Sequence, residues 1–494
     1  MCTCVLIKFI NLAVIKLPDR TMTKLEKILN EKGPIRKVGV VGMGYVGIPS
    51  AVLFADHFDF VLGFQRDSPT SGYKIKMLNK GISPLKGEEP GLEDLIQKVR
   101  SRGRFECTSD FTRISEVDAV TLAIQTPFKN KEDLEPDFSA LEEGIRQIGK
   151  YLYPGILVVL ESTITPGTTR GFAAEILKEE SGLTAGEDFA LAHAPERVMV
   201  GRLLRNIREH DRIVGGINRE STQRAVELYT PVLTKGKIIA MDATAAEVTK
   251  TAENTFRDLQ IAAINELALY CEAMRINVYD VRKGIDSLKG EGITRAVLYP
   301  GAGVGGHCLT KDTYHLERGV KISGTKLDYP QNAESMYVLA RRINDFMPVH
   351  MYNLTKEGLS RIGGKFRGSK VALLGWAFIN NSDDTRNTPA EPYYDLLMKD
   401  GAKVFVHDPY ALEYPGVKIS QDLEDTLKRA SIIAIFAGHK QYFNLRAGVI
   451  KKLSEEEHPL IIDGRNVIEP DAYIKEGFIY KGIGRGDKNY HHII

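Results

Sequence analysis

Cysteine is scarce in this chain, five in 494 residues, at Cys2, Cys4, Cys107, Cys271 and Cys308. An odd and scattered set argues against a disulfide framework and fits a reducing compartment, so a cytoplasmic protein is expected. Cys2 and Cys4 have no Cys/His partners at zinc spacing and no such spacing recurs, so no metal is expected. An excess of either charge is missing too, since 66 basic residues meet 64 acidic ones for a net charge of +2. That leaves nucleic-acid binding without support, although single phosphate groups can still be ligands. Long apolar runs are absent as well. The stretch from Val5 to Leu17 is interrupted by Lys8, Asn11 and Lys16, is too short to cross a bilayer, and lacks the basic flank and small-residue cleavage site of a signal peptide. No membrane partner is expected, and Met22 is an alternative start of translation.

What is present is ordinary globular composition, 43% hydrophobic and 26% charged, in a chain long enough for two or three domains. Lys37-Val38-Gly39-Val40-Val41 reads as a buried strand, followed by the glycine turn Gly42-Met43-Gly44-Tyr45-Val46-Gly47. A helical stretch over 48–58 and a second strand over 60–64 complete a dinucleotide-binding βαβ unit. The first glycine permits the turn, the second admits a pyrophosphate and the third lets helix and strand pack. Gln65 and Arg66 stand where an NAD site usually carries an acid for the ribose. Gln65 can bond the ribose hydroxyls, whereas Arg66 can meet a 2′-phosphate, so NAD is expected and NADP stays open.

Further strands are expected over 119–125, 156–160 and 189–192. Thr126-Pro127 follows the first, and Glu161-Ser162-Thr163-Ile164-Thr165-Pro166-Gly167-Thr168-Thr169 the second, at the strand edge where open α/β sheets bind ligands. The hydroxyls there can equally cap helices. A long helix is expected over 245–275, with Lys250 and Asn254 on one face at i,i+4. A second α/β unit begins near Lys370, with Asn381-Ser382-Asp383-Asp384-Thr385-Arg386 after its first strand and Arg465 in Asp463-Gly464-Arg465-Asn466 after a later one. Arg465 has the fork geometry for a phosphate.

The segment Gly301-Ala302-Gly303-Val304-Gly305-Gly306-His307-Cys308-Leu309-Thr310-Lys311-Asp312 places a cysteine after a glycine-rich bend. Such a bend can expose a nucleophile, and a following helix with Lys311 would favour its thiolate. A buried, inert cysteine is the other reading these residues allow.

Together these motifs, with Glu88-Glu89-Pro90-Gly91-Leu92 and Gln125-Thr126-Pro127, resemble the UDP-glucose/GDP-mannose dehydrogenase family in order and over nearly the whole chain. The resemblance implies two Rossmann-like doubly wound α/β domains joined by a helical middle domain. The boundaries expected are an N-terminal extension over 1–35, the cofactor domain over 36–218, the middle domain over 219–332 and a UDP-binding domain over 333–494. It further implies NAD-dependent oxidation of a nucleotide sugar's C6 alcohol to a carboxylate in a homodimer, through a thioester on Cys308. Lys250 and Asn254 would stabilise oxyanions, Asp312 would position a proton or water, and Glu161 and Thr126 would order water and touch the nicotinamide. Gly42 to Gly47, Gln65, Arg66, Thr126 and Thr163 would hold the cofactor. Arg197, Lys250, Asn254, Gly303, Gly305, His307 and Arg465 would hold the sugar nucleotide.

The loop Gly305-Gly306-His307-Cys308 and the segment Pro195-Glu196-Arg197-Val198-Met199-Val200-Gly201-Arg202 look like the branch acting on UDP-N-acetylhexosamines. N-acetylmannosamine, N-acetylglucosamine and N-acetylgalactosamine remain open within it. Ile379 stands where a lysine commonly follows Ala-Phe, which puts one substrate contact in doubt. UDP-glucose or GDP-mannose as substrate, and a non-catalytic nucleotide-sugar-binding protein, are the competing expectations.

Overall fold

The computed structural model describes residues 22–85, 89–130, 134–198, 201–288, 297–324 and 334–490. The Cys2/Cys4 pair, the Val5 to Leu17 run, Glu88, Met199 and Val200 lie outside them.

Short apolar runs form the strands β1 (Lys37–Val41), β2 (Phe60–Phe64), β3 (Phe105–Thr108), β4 (Ala119–Leu122), β5 (Phe128–Asn130), β6 (Glu135–Pro136), β7 (Leu157–Leu160), β8 (Ala190–His193), β9 (Arg212–Gly216) and β10 (Ile238–Asp242). Strands β5 and β6 make a separate antiparallel pair. The other eight form one sheet in the order β10-β9-β8-β7-β4-β1-β2-β3, parallel except where β8 meets β9. Residues of β4, β7 and β8 are buried on both faces, which is why these strands read as unbroken apolar runs rather than alternating ones.

The strand order reverses between β1 and β4, opening a crevice at their carboxyl ends. The run expected over 119–125 stops pairing as a strand at Leu122. The N–H of Ala123 still donates to the Val41 carbonyl (2.9 Å), but that of Ile124 turns to Ser162 Oγ (2.9 Å) and the chain bends into the crevice. The sheet itself runs on to β10, past residue 218. Ahead of β1, the helix Lys24–Lys32 is capped by Thr23 and buries Leu25 completely. Lys24 pairs with Asp188 at 2.5 Å, so this helix packs on the first sheet's domain.

The helix Ala243–Ala273 has 31 residues, about 46 Å at 1.5 Å per residue. Asp242 caps it by accepting from the Thr244 N–H. Much of its buried face is polar, with Glu247, Lys250, Thr251, Asn254, Thr255, Asp258 and Asn265. Glu247 accepts N–H groups from Gly167 (2.6 Å) and Thr169 (2.8 Å) in the first domain. At the far end Glu272 accepts from the Gly484 N–H (2.7 Å) in the last domain. The helix Met336–Arg361 packs along it.

The second sheet comprises β11 (Lys370–Leu374), β12 (Lys403–His407), β13 (Ile419–Ser420), β14 (Ile432–Ile435), β15 (Leu460–Asp463) and β16 (Ile479–Gly482). It is fully parallel in the order β13-β12-β11-β14-β15-β16, with its own reversal between β11 and β14. The protein is thus α/β, with two doubly wound sheets bridged by long helices, as the motifs implied. Among the described residues no helix is long and apolar enough to cross a membrane, and no group of three His, Cys, Asp or Glu is placed to hold a metal ion.

Candidate active site

The glycine turn after β1 has three different reasons for its three glycines. Gly42 has φ +97°, and a Cβ there would meet Ala123 O at 2.5 Å. A Cβ on Gly47 would lie 1.9 Å from Gly42 O, so only glycine lets the helix Gly47–His57 start this close to β1. At Gly44 nothing lies within 4 Å, which leaves the backbone open to a ligand. No side chain caps this helix, and a helix start facing an open crevice is where a pyrophosphate binds. These residues fit NAD. Gln65 Oε1 accepts from the Met43 N–H at 3.0 Å, placing its amide beside the turn at the ribose end. Arg66 extends away to Glu143 (2.9 Å), both exposed. Thr126 Oγ1 donates to the Thr163 carbonyl (2.5 Å) and so ties together the loops after β4 and β7.

Between the two sheets lies the cysteine loop. Gly303 (φ +136°) backs onto Pro348 and Pro389, while Gly305 and Gly306 (φ +89°) press on the ring of Phe378. A Cβ at these three glycines would approach those side chains to 2.7, 2.5 and 2.7 Å respectively. The Gly306 N–H donates to the Arg386 carbonyl (2.8 Å), and the Gly306 carbonyl accepts from Asn387 Nδ2 (3.1 Å) and Thr310 Oγ1 (2.7 Å). The next helix begins at Asp312 rather than directly after the cysteine, and its first turn closes on Cys308 as the Asp312 N–H donates to the Cys308 carbonyl (2.9 Å). Cys308 itself is exposed, unlike Cys107 and Cys271.

Beneath the cysteine, Asp312 is fully buried and accepts from Asn254 Nδ2 (2.6 Å) and Lys311 Nζ (3.1 Å). Burial alone would raise its pKa, but Lys311 and Lys250 outweigh that and hold the carboxylate ionised below its ordinary range. Lys250 is only 8% exposed and its field reaches the sulfur as well. Although the residue reaches solvent, the protein crowded around its sulfur desolvates the Cys308 thiol and, with Asp312, raises it above its ordinary value, against the pull of Lys250, Lys311 and Arg386. In this state the sulfur is a thiol held among cations, so a developing thiolate or oxyanion beside it would meet fixed positive charge. Desolvation, with Lys311 and Arg386, pushes His307 down to about 4, so it is a neutral imidazole at pH 7.

The remaining expected residues are distributed around this centre. Arg465 bonds Asn380 Oδ1 (3.3 Å), and its guanidinium lies 3.0 Å from where a Gly301 Cβ would stand, against the start of the cysteine loop. Arg197 reaches the Asp211 carbonyl and Glu253 (3.6 Å), flanking the long helix one residue from Asn254. Glu161 is buried at the end of β7, where one oxygen takes Arg212 Nη2 (2.8 Å) and Tyr229 Oη (2.7 Å) and the other has no partner among the described residues. Burial pushes this carboxyl up, and Arg212 opposes it.

Two residues of this centre were not singled out from sequence. Arg386 is held by a bidentate pair to Asp384 (2.8 and 2.5 Å), and its charge acts on both Cys308 and Tyr45, joining the glycine turn to the last domain. Asn380 accepts from Arg465 and from the Gly438 N–H (2.8 Å), linking loops at the second crevice. The segment Asn381 to Arg386 was visible as a polar turn after β11 and Asn380 stands just before it, but which side chain faces the sulfur depends on how two domains meet.

Comparison with known proteins agrees with this layout. Residues 36–233 match the UDP-glucose/GDP-mannose dehydrogenase family's NAD binding domain, 244–337 its central domain and 372–470 its UDP binding domain. A solved structure of an NDP-N-acetyl-D-galactosaminuronic acid dehydrogenase from Methanosarcina mazei Go1 is 72% identical, with a TM-score of 0.90, covering 96% of this chain and 100% of that one. The UDP-N-acetyl-D-mannosamine dehydrogenase of Pyrococcus horikoshii is 36% identical over 91% of this chain and 100% of its own length. The Campylobacter jejuni protein of the same name is 32% identical over 83% and 97%. The chain therefore belongs to the UDP-glucose/GDP-mannose dehydrogenase family, as an NAD-using oxidoreductase of the nucleotide-sugar dehydrogenase class.

Proposed function

We propose that the protein oxidises the C6 alcohol of a UDP-N-acetylhexosamine to the uronic acid, in four electrons, with Cys308 as the covalent nucleophile. The observation that carries this is an exposed cysteine on a glycine loop between the two crevices, set over Lys250, Asn254, Lys311 and Asp312.

NAD supplies the hydride acceptor, used twice. As the alcohol is oxidised its proton passes to a base near C6, and Lys250 and Asn254 stabilise the alkoxide that precedes the aldehyde. The Cys308 sulfur adds to the aldehyde carbon, its proton ending on the new hydroxyl, to give a thiohemiacetal. Loss of the second hydride and that proton leaves a thioester. Water then adds to the thioester carbon, the C–S bond breaks, and the acid and free thiol are released. Asp312 positions the water or proton near the sulfur, and the Glu161 carboxyl with Thr126 orders water on the nicotinamide side. Arg465 and Asn380 hold the diphosphate end, with His307, Gly303 and Gly305 at the sugar and Arg197 along the helix flank.

The 72% identity to a protein named for N-acetylgalactosaminuronic acid favours the galacto epimer. The mannosamine-named relatives at 30–36% favour the manno epimer as the second reading. Phe256, Tyr270, Leu339 and Phe346 are large apolar side chains exposed on the two long helices, which supports a homodimer formed through those helices. A cytoplasmic enzyme supplying sugar acids for glycan or polysaccharide precursors fits this chemistry.

The test is turnover of a panel of UDP-N-acetylhexosamines, UDP-glucose and GDP-mannose with NAD and with NADP, products identified by mass. Preference for UDP-N-acetylgalactosamine with NAD is expected. Preference for UDP-glucose or GDP-mannose would contradict the branch, and binding of all without reduction of cofactor would contradict enzymatic function.

A further inference from the structure

Both ends of the cysteine loop terminate in one buried hydrogen-bonded chain between the two long helices. At its start, the Gly301 N–H donates to Asn265 Oδ1 (3.0 Å). Asn265 Nδ2 donates to Asn344 Oδ1 (2.9 Å), and Asn344 Nδ2 donates to the carbonyl (2.9 Å) and Oδ1 (2.8 Å) of Asp258. Asp258 Oδ1 also takes Arg341 Nη1 (2.5 Å), and the same nitrogen donates to the Leu309 carbonyl (3.3 Å), one residue after Cys308. Asp258, Asn265, Arg341 and Asn344 are each no more than 1% exposed.

We infer that Asn265 and Arg341 are positioning residues, which fix the two ends of the loop so that the Cys308 sulfur stands over Lys250 and Asn254. The inference rests on the reading of Cys308 as the nucleophile. A seam between two helices needs no charge to be stable; apolar side chains of similar volume commonly do as well as a buried ion pair or better. Here the pair is not even complete, since Asp258 Oδ2 has no partner among the described residues, and burial lifts this carboxyl to about 6 despite Arg341. What the chain does accomplish is to satisfy two loop groups, the Gly301 N–H and the Leu309 carbonyl, that buried backbone would otherwise leave unpaired. The middle of the loop is held separately, by backbone bonds from Ala302 to Gly464 (3.2 Å) and from Gly306 to Arg386 (2.8 Å). Helix seam and last domain therefore grip different parts of the same loop, and a slip at either end displaces the sulfur.

The test uses Arg341→Lys, which keeps the charge but has no fork to reach both Asp258 and Leu309, and Asn265→Ser, which shortens the reach to Gly301. Arg342→Ala is the control, since Arg342 is the neighbour of Arg341 on the same helix but bonds exposed Glu334, which precedes the helix. Two quantities are read on protein whose thermal melt matches the wild type: the iodoacetamide rate constant at Cys308, followed by mass of its peptide, and the steady-state kinetics. A displacement of about 1 Å predicts a fall in kcat of about tenfold to a hundredfold, with the NAD half-saturation within about twofold and the alkylation rate shifted by about threefold or more. If either variant fails to fold, the other carries the test. Alkylation and kcat both within about twofold of the wild type would overturn the inference. So would a loss of kcat that tracks the folded fraction while alkylation per folded molecule is unchanged. The alkylation arm needs no substrate, so a wild type that oxidises none of the sugars sinks the functional reading and leaves this inference separately decided.

Discussion

Replacing Gly306 by alanine sets two independent penalties against each other's relief. The φ of +89° is a conformation that costs an L-residue about 1–2 kcal/mol. The new Cβ would also stand 2.7 Å from Phe378 Cζ and 2.9 Å from Cε2, inside any real contact, and overpacking of this kind costs about 1–3 kcal/mol. Together that is at most about 2–5 kcal/mol, part of which the half-buried Phe378 ring can relieve by turning and the rest of which the backbone sheds by moving off the ring. Moving off the ring breaks the bonds from Gly306 to Arg386, Asn387 and Thr310 and carries Cys308, two residues on, away from Lys250. A shift of about 1 Å at a reacting atom costs about a hundredfold in rate, so Gly306→Ala is expected to lose about that factor in kcat/KM by reduced-cofactor absorbance. Gly448, helical and with nothing within 4 Å of its Cβ position, is the matched control, and alanine there should stabilise slightly. A Gly306→Ala enzyme with kcat/KM within about twofold of the wild type and an unchanged melt would refute the packing argument.

Further outcomes follow from the electrostatics and the buried pairs. The Cys308 thiol lies above its ordinary pKa, so alkylation of the free enzyme should rise with pH through a midpoint above that of a free cysteine; Lys250 lowers this pKa and Asp312 raises it, so Lys250→Ala moves the midpoint up and Asp312→Asn moves it down, and shifts of the opposite sign would contradict the geometry. Arg212 stands between the buried carboxylates of Glu161 and Glu196, so Arg212→Ala should cost about 3–5 kcal/mol in chemical denaturation, whereas a loss under about 1 kcal/mol would show that the pair is replaceable. Gln65→Asp puts a carboxylate at the ribose end of the turn, and repulsion of a 2′-phosphate should widen the preference for NAD over NADP by about tenfold, an unchanged ratio removing Gln65 from that position.

Much of the architecture was legible because parallel strands buried on both faces leave continuous apolar runs, as at β4 and β7, with turn residues at their carboxyl ends. Strand β10 was not singled out although Ile238-Ile239-Ala240-Met241 is itself a short apolar run, and in the fold it lies at the sheet edge with its residues half-buried or exposed rather than enclosed on both faces. Lys250 and Asn254 were legible as one helix face, and the same spacing continues through Asp258 to Asn265, polar residues whose burial only the packing of the second long helix reveals. The partners of Glu161 lie 51 and 68 residues away on other elements, and the Asn380 partner of the Arg465 guanidinium lies 85 residues away, separations across which periodicity carries no information. The facing of Arg386 toward both Tyr45 and Cys308 is likewise a property of how the domains meet.

The central claim is that Cys308 carries an alcohol oxidation past the aldehyde, and the stoichiometry of reduced NAD to sugar acid tests it most directly. The wild type is expected to form two reduced cofactors per uronic acid with no free aldehyde, and Cys308→Ser to stall before the acid. One reduced cofactor per sugar with aldehyde released by the wild type, or acid formed at the wild-type rate by Cys308→Ser, would contradict it.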